Sequence, residues 1–318
     1  MLNIVLRLTA ILPLCAATLM TSPAYAWSDA GHMIVAQIAY DKIAAEDPRA
    51  KIEIERLLAM QVAPVLSTAA SNDSVNEFIS ASHWADDIKH IPGYTDTADE
   101  HYIDYPFSTD GTQLPINLPK AVNIVTALTK YVRILQSPLA SDSNKAVALR
   151  FVIHLVGDIH QPLHCVTRVS SKYPRGDLGG NKMMLSQNPS LTVNQTATTI
   201  TLHSFWDGGL GSLPHKAPHS GTHFAPPQFQ ISQAAADISA SYRADPQWKN
   251  NSPFDYTGWS HESQHIATSF VYQGLVDAQE PDENYVSKGT QIARSQLFKA
   301  GYRLAALLEA IWPKSSQR

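Results

Sequence analysis

Apolar residues along this chain recur mostly by threes and fours, and strand-like alternation is weak throughout, so the pattern is that of helices. Residues 30 to 45 carry Ile34, Val35, Ile38 and Ala39 at helical spacing, and residues 118 to 136, following Pro119, carry Val122, Val125, Leu128, Val132 and Leu135. Residues 144 to 160 are almost wholly apolar and predict a central helix. Residues 228 to 243 are Ala-rich. Residues 259 to 278 and 286 to 311 predict two long C-terminal helices, the second with Leu297, Gly301, Leu304 and Leu308 on one face. The Pro/Gly-rich stretches 90 to 117, 165 to 200 and 208 to 227 read as loops. The β-branched run at 190 to 202 predicts a small hairpin with residues 181 to 185. No internal repeat, charge block or linker interrupts this order. The expectation is one all-α domain with long loops.

The apolar central segment, FVIHLVGDIHQPLH at 151 to 164, is broken by polar groups that an apolar interior does not accept unpaired. His154 and Asp158 stand at i and i+4, which places them on one face of a helix. Two readings fit: a metal site, or a core histidine paired with an aspartate. The segment TLHSFWDGG repeats the spacing with His203 and Asp207. With His164, these pairs supply more nitrogen and oxygen donors than one tetrahedral zinc ion takes. If metal is bound there is more than one ion, a composition typical of phosphoester hydrolysis. Two further polar islands, SHWADDIKH with Asp86 and Lys89 and EHYIDYP with His101 and Asp104, are weak signals taken alone.

Residues 1 to 26 read as a secretory signal peptide: Arg7, an apolar stretch, then Ala24-Tyr25-Ala26 as a cleavage site. Maturation would leave residues 27 to 318, beginning at Trp27. Lys and Arg total 24 against 28 Asp and Glu, so a long basic nucleic-acid track is not expected, and a phosphate substrate must be attracted locally. The mature part keeps a single cysteine, Cys165, so it forms no internal disulfide, which suits a bacterial periplasmic or extracellular protein. The sequons at Asn72, Asn194 and Asn250 are then incidental. His215, His219 and His223 sit among Pro and Gly and are not read as a shared metal site. His160 is read as packing or as support for a ligand, His83 and His90 as bystanders, and Cys165 as a small buried residue.

Taken in order, W27-SDAG-H32, W84-A85-D86, H101-Y102-I103-D104, H154-LVG-D158-IHQPL-H164, G179-G180-N181 and H203-SFW-D207 resemble the S1/P1 nuclease family of zinc-dependent single-strand nucleases and 3′-nucleotidases. The segments at 259 to 263 and 300 to 305 extend the likeness along the mature chain. The resemblance implies an all-α domain of the phospholipase C/P1 nuclease type and three zinc ions. Trp27, through its α-amino nitrogen and carbonyl oxygen, and His32 would hold the first ion. Asp158 would bridge it to a second, completed by Asp86, His101 and His154. His164, His203 and Asp207 would hold the third. It further implies that a zinc-activated hydroxide attacks phosphorus and the P–O3′ bond breaks, with Asp86 and Asp158 among the catalytic residues. Lys89 would stabilise the phosphate, and Tyr102, Asp104 and Asn181 would contact the base. Single-stranded DNA, RNA and 3′-nucleotides are the implied substrates of a secreted or periplasmic monomer with no membrane anchor and no obligatory protein partner. A zinc phospholipase C and a non-catalytic zinc-binding protein are the alternatives.

Overall fold

The structure, a computed structural model, describes residues 27–62, 74–186, 199–214, 226–243 and 252–312. The expected signal peptide, the sequon residues Asn72, Asn194 and Asn250, and His215, His219 and His223 lie outside these residues. Ten α-helices dominate the described part: α1 (Asp29–Glu46), α2 (Pro48–Leu58), α3 (Ser74–Ala81), α4 (Trp84–Ile88), α5 (Ile124–Gln136), α6 (Asp142–Asp158), α7 (Leu202–Asp207), α8 (Gln228–Tyr242), α9 (Tyr256–Ile266) and α10 (Glu283–Ile311). The class is all-α, as the periodicity predicts.

Helix α1 is buried nearly all round from Ala30 to Tyr40 because α10, α8, α3 and α2 pack about it. Helix α6 is buried on every side from Phe151 to Asp158, between α5, α10 and α2. Two small pairings complete the fold. Strand β1 (Pro106–Ser108) runs parallel to β2 (Thr167–Val169), which the sequence did not predict. Strand β3 (Met184–Ser186) pairs antiparallel with β4 (Thr199–Thr201), the predicted hairpin.

Where boundaries differ from expectation, side-chain capping explains the shift. Helix α5 starts at Ile124 rather than near Pro119. The Asn123 side chain accepts from the backbone N–H groups of Val125 and Thr126, and the Thr126 hydroxyl accepts in return from the Asn123 N–H. Capped by Asp255, α9 starts at Tyr256, three residues upstream of the predicted start. The predicted run to 278 ends early. The hydroxyls of Thr268 and Ser269 donate to the carbonyls of Gln264 and His265, and the chain widens into a π-turn at Ala267–Val271. Helix α2, missed in the sequence, begins with Asp47 accepting from Arg49 and Ala50 and with Pro48 in its first turn. The loop at 90 to 117 also contains a 3₁₀ turn, Thr95–His101.

Candidate metal centre

Five segments deliver the polar side chains to one region. Trp27 and His32 come from the start of α1, Asp86 and Lys89 from α4 and its end, and His101 from the end of the 3₁₀ turn. His154 and Asp158 come from the last turn of α6, followed by His164 in a second 3₁₀ turn (Pro162–Cys165), and His203 and Asp207 come from α7. All are buried. Three groups of donor atoms result: His32, His154 and Asp158; Asp86, His101 and His154; and His164, His203 and Asp207. The sequence reading placed His154 on the second ion, with Asp158, Asp86 and His101, and not beside His32. In the fold it also stacks on His32, with ring centroids 4.1 Å apart and 15° between planes.

The separations are informative. His101 Nδ1 lies 3.0 Å from His154 Nε2 and 3.0 Å from Asp158 Oδ2, and 3.5 Å from Asp86 Oδ1. His154 Nε2 lies 3.0 Å from Asp158 Oδ2 and 3.5 Å from Asp86 Oδ1. Bond lengths of about 2.0–2.1 Å to zinc give tetrahedral edges of about 3.3 Å, within the range spanned here.

Hydrogen bonding fixes what these atoms are. Nδ1 of His164 is 2.7 Å from the His101 carbonyl, and Nδ1 of His203 is 2.7 Å from the Gly179 carbonyl. A carbonyl only accepts, so each Nδ1 carries the hydrogen, and a neutral ring then turns a lone pair on Nε2 inward. Those two Nε2 atoms face each other at 3.2 Å, with Asp207 Oδ2 3.7 Å from the second. Nδ1 of His154 likewise donates to the Ser82 carbonyl at 2.6 Å. Opposed lone pairs repel unless a cation lies between them. Near the other end, His32 Nε2 comes within 3.2 Å of Asp158 Oδ1. Yet both atoms, with His32 Nδ1 and His101 Nε2, are buried without a hydrogen-bond partner among the described residues. Such orphans are costly in a finished interior and expected at a metal site. The donor set therefore fits zinc and does not fit isolated His–Asp pairs.

Two glycines shape the pocket. A Cβ on Gly157 would stand 2.7 Å from His32 Nδ1, so His32 packs directly on the α6 backbone. Gly179 has φ +58°, and a Cβ there would meet the Leu163 carbonyl oxygen at 2.3 Å, in the turn whose carbonyl orients His203.

Electrostatics follow from burial and crowding. Burial opposes ionisation of Asp158, yet His154, His101 and His32 hold it well below the ordinary carboxylate range. Asp86 is lowered too: His154, Lys89 and His101 outweigh its burial. His154 is raised to about 9, burial being outweighed by Asp158 and Asp86. Asp158 also ends a helix, where the macrodipole disfavours negative charge, so positive charge must gather around it. Burial pushes Asp207 up, against the amide of Gln161.

The remaining predicted residues take varied places. Lys89 is 8% exposed, and its Nζ donates to Asp86 Oδ1 at 2.6 Å, so it is part of the centre rather than a surface lysine. Half-buried Tyr102 donates its hydroxyl to Asp99. Asp104 is half-buried, its carboxyl raised to about 6 by burial. Asn181 donates its amide to the Leu178 carbonyl at 2.8 Å. Trp27 is fully buried, its indole N–H donating to Gly157 O at 3.0 Å, while the Ser28 N–H donates to the Asp207 carbonyl at 3.0 Å. His160 stands apart: Nδ1 is 2.7 Å from the Val156 carbonyl, and Nε2 accepts from Arg303, which also pairs with Glu262. His83 pairs with Asp87, and the Cys165 thiol is buried. Gln161, overlooked in the sequence, bridges two donor segments; its signal was a polar residue between ligand candidates in an apolar motif.

Comparison with known proteins shows the family. The chain is 24% identical to Nuclease S1 of Aspergillus oryzae, covering 95% of this chain and 97% of that protein. It is 25% identical to Endonuclease 3 of Arabidopsis thaliana, over 95% and 94% of the two. It is 25% identical to Nuclease P1 of Penicillium citrinum, over 57% of each. The sequence model of the family described as S1/P1 Nuclease matches residues 27–313. The chain thus belongs to the S1/P1 nuclease family, a zinc-dependent family, and is a hydrolase acting on phosphoester bonds.

Proposed function

We propose that the mature chain, starting at Trp27, is a trinuclear zinc phosphodiesterase. It cleaves single-stranded DNA and RNA to 5′-nucleotides and dephosphorylates 3′-nucleotides. The observation that carries this reading is the pair of inward lone pairs on His164 and His203, beside two further donor groups that share His154. Trp27, His32 and Asp158 would hold the first ion; Asp158, Asp86, His101 and His154 the second; His164, His203 and Asp207 the third. Zinc supplies Lewis acidity, which brings proton loss from water towards neutral pH and offsets charge on phosphoryl oxygens.

The chain's own residues do the rest. Lys89, fixed against Asp86, places a point charge at the edge of the centre for the phosphate. Tyr102, tethered by its hydroxyl, offers a ring face to an unstacked base, which favours single strands. Asp104, with its carboxyl near 6, both donates and accepts at mildly acid pH. Asn181 has its N–H committed to Leu178 and its carbonyl to offer a base. No protein nucleophile is required; the thiol of Cys165 is buried and pushed up out of reach of ionisation. Among the described residues no helix is long and apolar enough to cross a membrane, and the reading is of an exported monomer with residues 1–26 removed.

The test is metal analysis of the signal-cleaved protein, together with hydrolysis of single-stranded DNA, RNA and a 3′-nucleotide before and after chelation. About three zinc per chain with chelator-sensitive release of 5′-nucleotides supports the reading; fewer than two zinc overturns it. A second reading, a phosphodiesterase acting on lipid, has one observation behind it. Ile116 is 98% exposed, with Leu114 and Val122 also exposed, in the segment between Tyr102 and α5. Faster release of phosphocholine from phosphatidylcholine vesicles than of nucleotide from DNA would favour it.

A further inference from the structure

Gln161 sits where the end of α6 turns towards His164, and it is fully buried. Each of its four polar groups is committed. Its backbone N–H donates to the Asp158 carbonyl at 2.9 Å, and its backbone carbonyl accepts from the His164 N–H at 3.0 Å. Its side-chain oxygen accepts from the Leu163 N–H at 2.6 Å, and its side-chain nitrogen donates to Asp207 Oδ1 at 2.6 Å. The Leu163 N–H can only donate, so the amide cannot be turned the other way: the oxygen belongs to Leu163 and the N–H to Asp207.

We propose that Gln161 is a positioning residue for the group formed by His164, His203 and Asp207, fixing which carboxylate oxygen of Asp207 is presented to a cation and where His164 stands. With Oδ1 held by the amide, Oδ2 is the atom left facing His203 Nε2. The same side chain caps the 3₁₀ turn that carries His164, so one residue sets two of the three donors. Removing it leaves Asp207 Oδ1 buried without its donor, free to rotate away from the rings. Groups that orient metal ligands commonly tune affinity by about 10–100-fold. The inference rests on reading this group as a zinc site.

The experiment compares zinc binding by the wild-type chain, Gln161→Leu and Gln161→Glu, using competition with a chromophoric chelator and the visible spectrum of the cobalt(II)-loaded protein. Gln161→Glu keeps the acceptor for Leu163 and replaces the donor to Asp207 with a second carboxylate oxygen that opposes it, so it reports on the arm in question even if the leucine variant folds poorly. One ion of three is expected to bind roughly 10–100-fold more weakly in both variants. It should be the ion lost in His203→Ala, with the cobalt bands of the others unmoved and activity restored by excess zinc. Wild-type affinity for all three ions, or equal loss of all three, overturns the proposal. A wild-type chain with no ion on His164, His203 and Asp207 would sink the zinc reading itself and this inference with it.

Discussion

Replacing Gly157 by alanine should remove one zinc ion and leave the chain folded. The added Cβ would lie 2.7 Å from Nδ1 of His32 and 3.0 Å from its Cε1, against ordinary contacts of about 3.5 Å or more. His32 must therefore give way by roughly 0.7 Å, and it has little room, being stacked on His154 at 4.1 Å. Metal–ligand distances tolerate only about 0.2 Å, so the displacement takes His32 out of reach of an ion shared with Asp158. The cost in stability is small by comparison. Overpacking costs about 1–3 kcal/mol, and replacing glycine by alanine inside a helix returns about 0.8–1.0 kcal/mol, leaving roughly 0–2 kcal/mol. A domain stable by about 5–15 kcal/mol survives that. Metal analysis of purified Gly157→Ala beside wild type, with circular dichroism to establish folding, is the assay; activity should fall tenfold or more. A folded variant with the full zinc complement and wild-type turnover would refute the argument that His32 is a ligand pinned by the α6 backbone.

Other expectations follow from the same geometry. A chain carrying one extra residue before Trp27 should bind one zinc less and turn over more slowly, because the α-amino nitrogen becomes an amide; unchanged metal content would refute that role. Asp104, raised by burial from 3.8 to about 6, holds its proton more tightly when folded, so stability falls as pH rises from about 4 to about 6 and stays lower above. The loss is about 3 kcal/mol. Asp104→Asn should therefore raise the melting temperature near pH 7.5 and hardly change it near pH 4, as calorimetry at the two pH values would show. Lys89→Met should lower kcat by about 10²–10³ with zinc content kept, as expected when a transition-state charge partner is removed; an unchanged kcat would make Lys89 a structural partner of Asp86 alone.

The long helices were legible because their burial is extensive: α6 shows in apolar density, and α1 and α10 in apolar residues recurring at helical spacing. Helix α2, KIEIERLL in part, alternates like a strand and is helical because Asp47 and Pro48 start it and its buried side, with Ile54, Leu57 and Leu58, packs among α6, α1 and α3. Within the centre, spacing gave His154 with Asp158 and His203 with Asp207 as neighbours on a helical face. It could not say which ring nitrogen faces inward. That is decided by the carbonyls of Ser82, His101 and Gly179, backbone atoms whose position depends on the fold and not on residue type. Gln161 and Gly157 were hidden for a related reason: their importance lies in what they touch across chain separations of 46 residues for the Gln161–Asp207 bond and 130 for Trp27–Gly157.

Those separations also govern when the protein can become active. The three donor groups draw on residues from His32 to Asp207, and α1, which carries the first of them, is packed against α10 near the end of the chain. Contacts this remote in sequence form late, after the entropy of closing long loops has been met. A growing chain holds histidines and aspartates but no assembled centre. A hydrolase of phosphoester bonds built this way gains its centre only once the chain from α1 to α10 has come together.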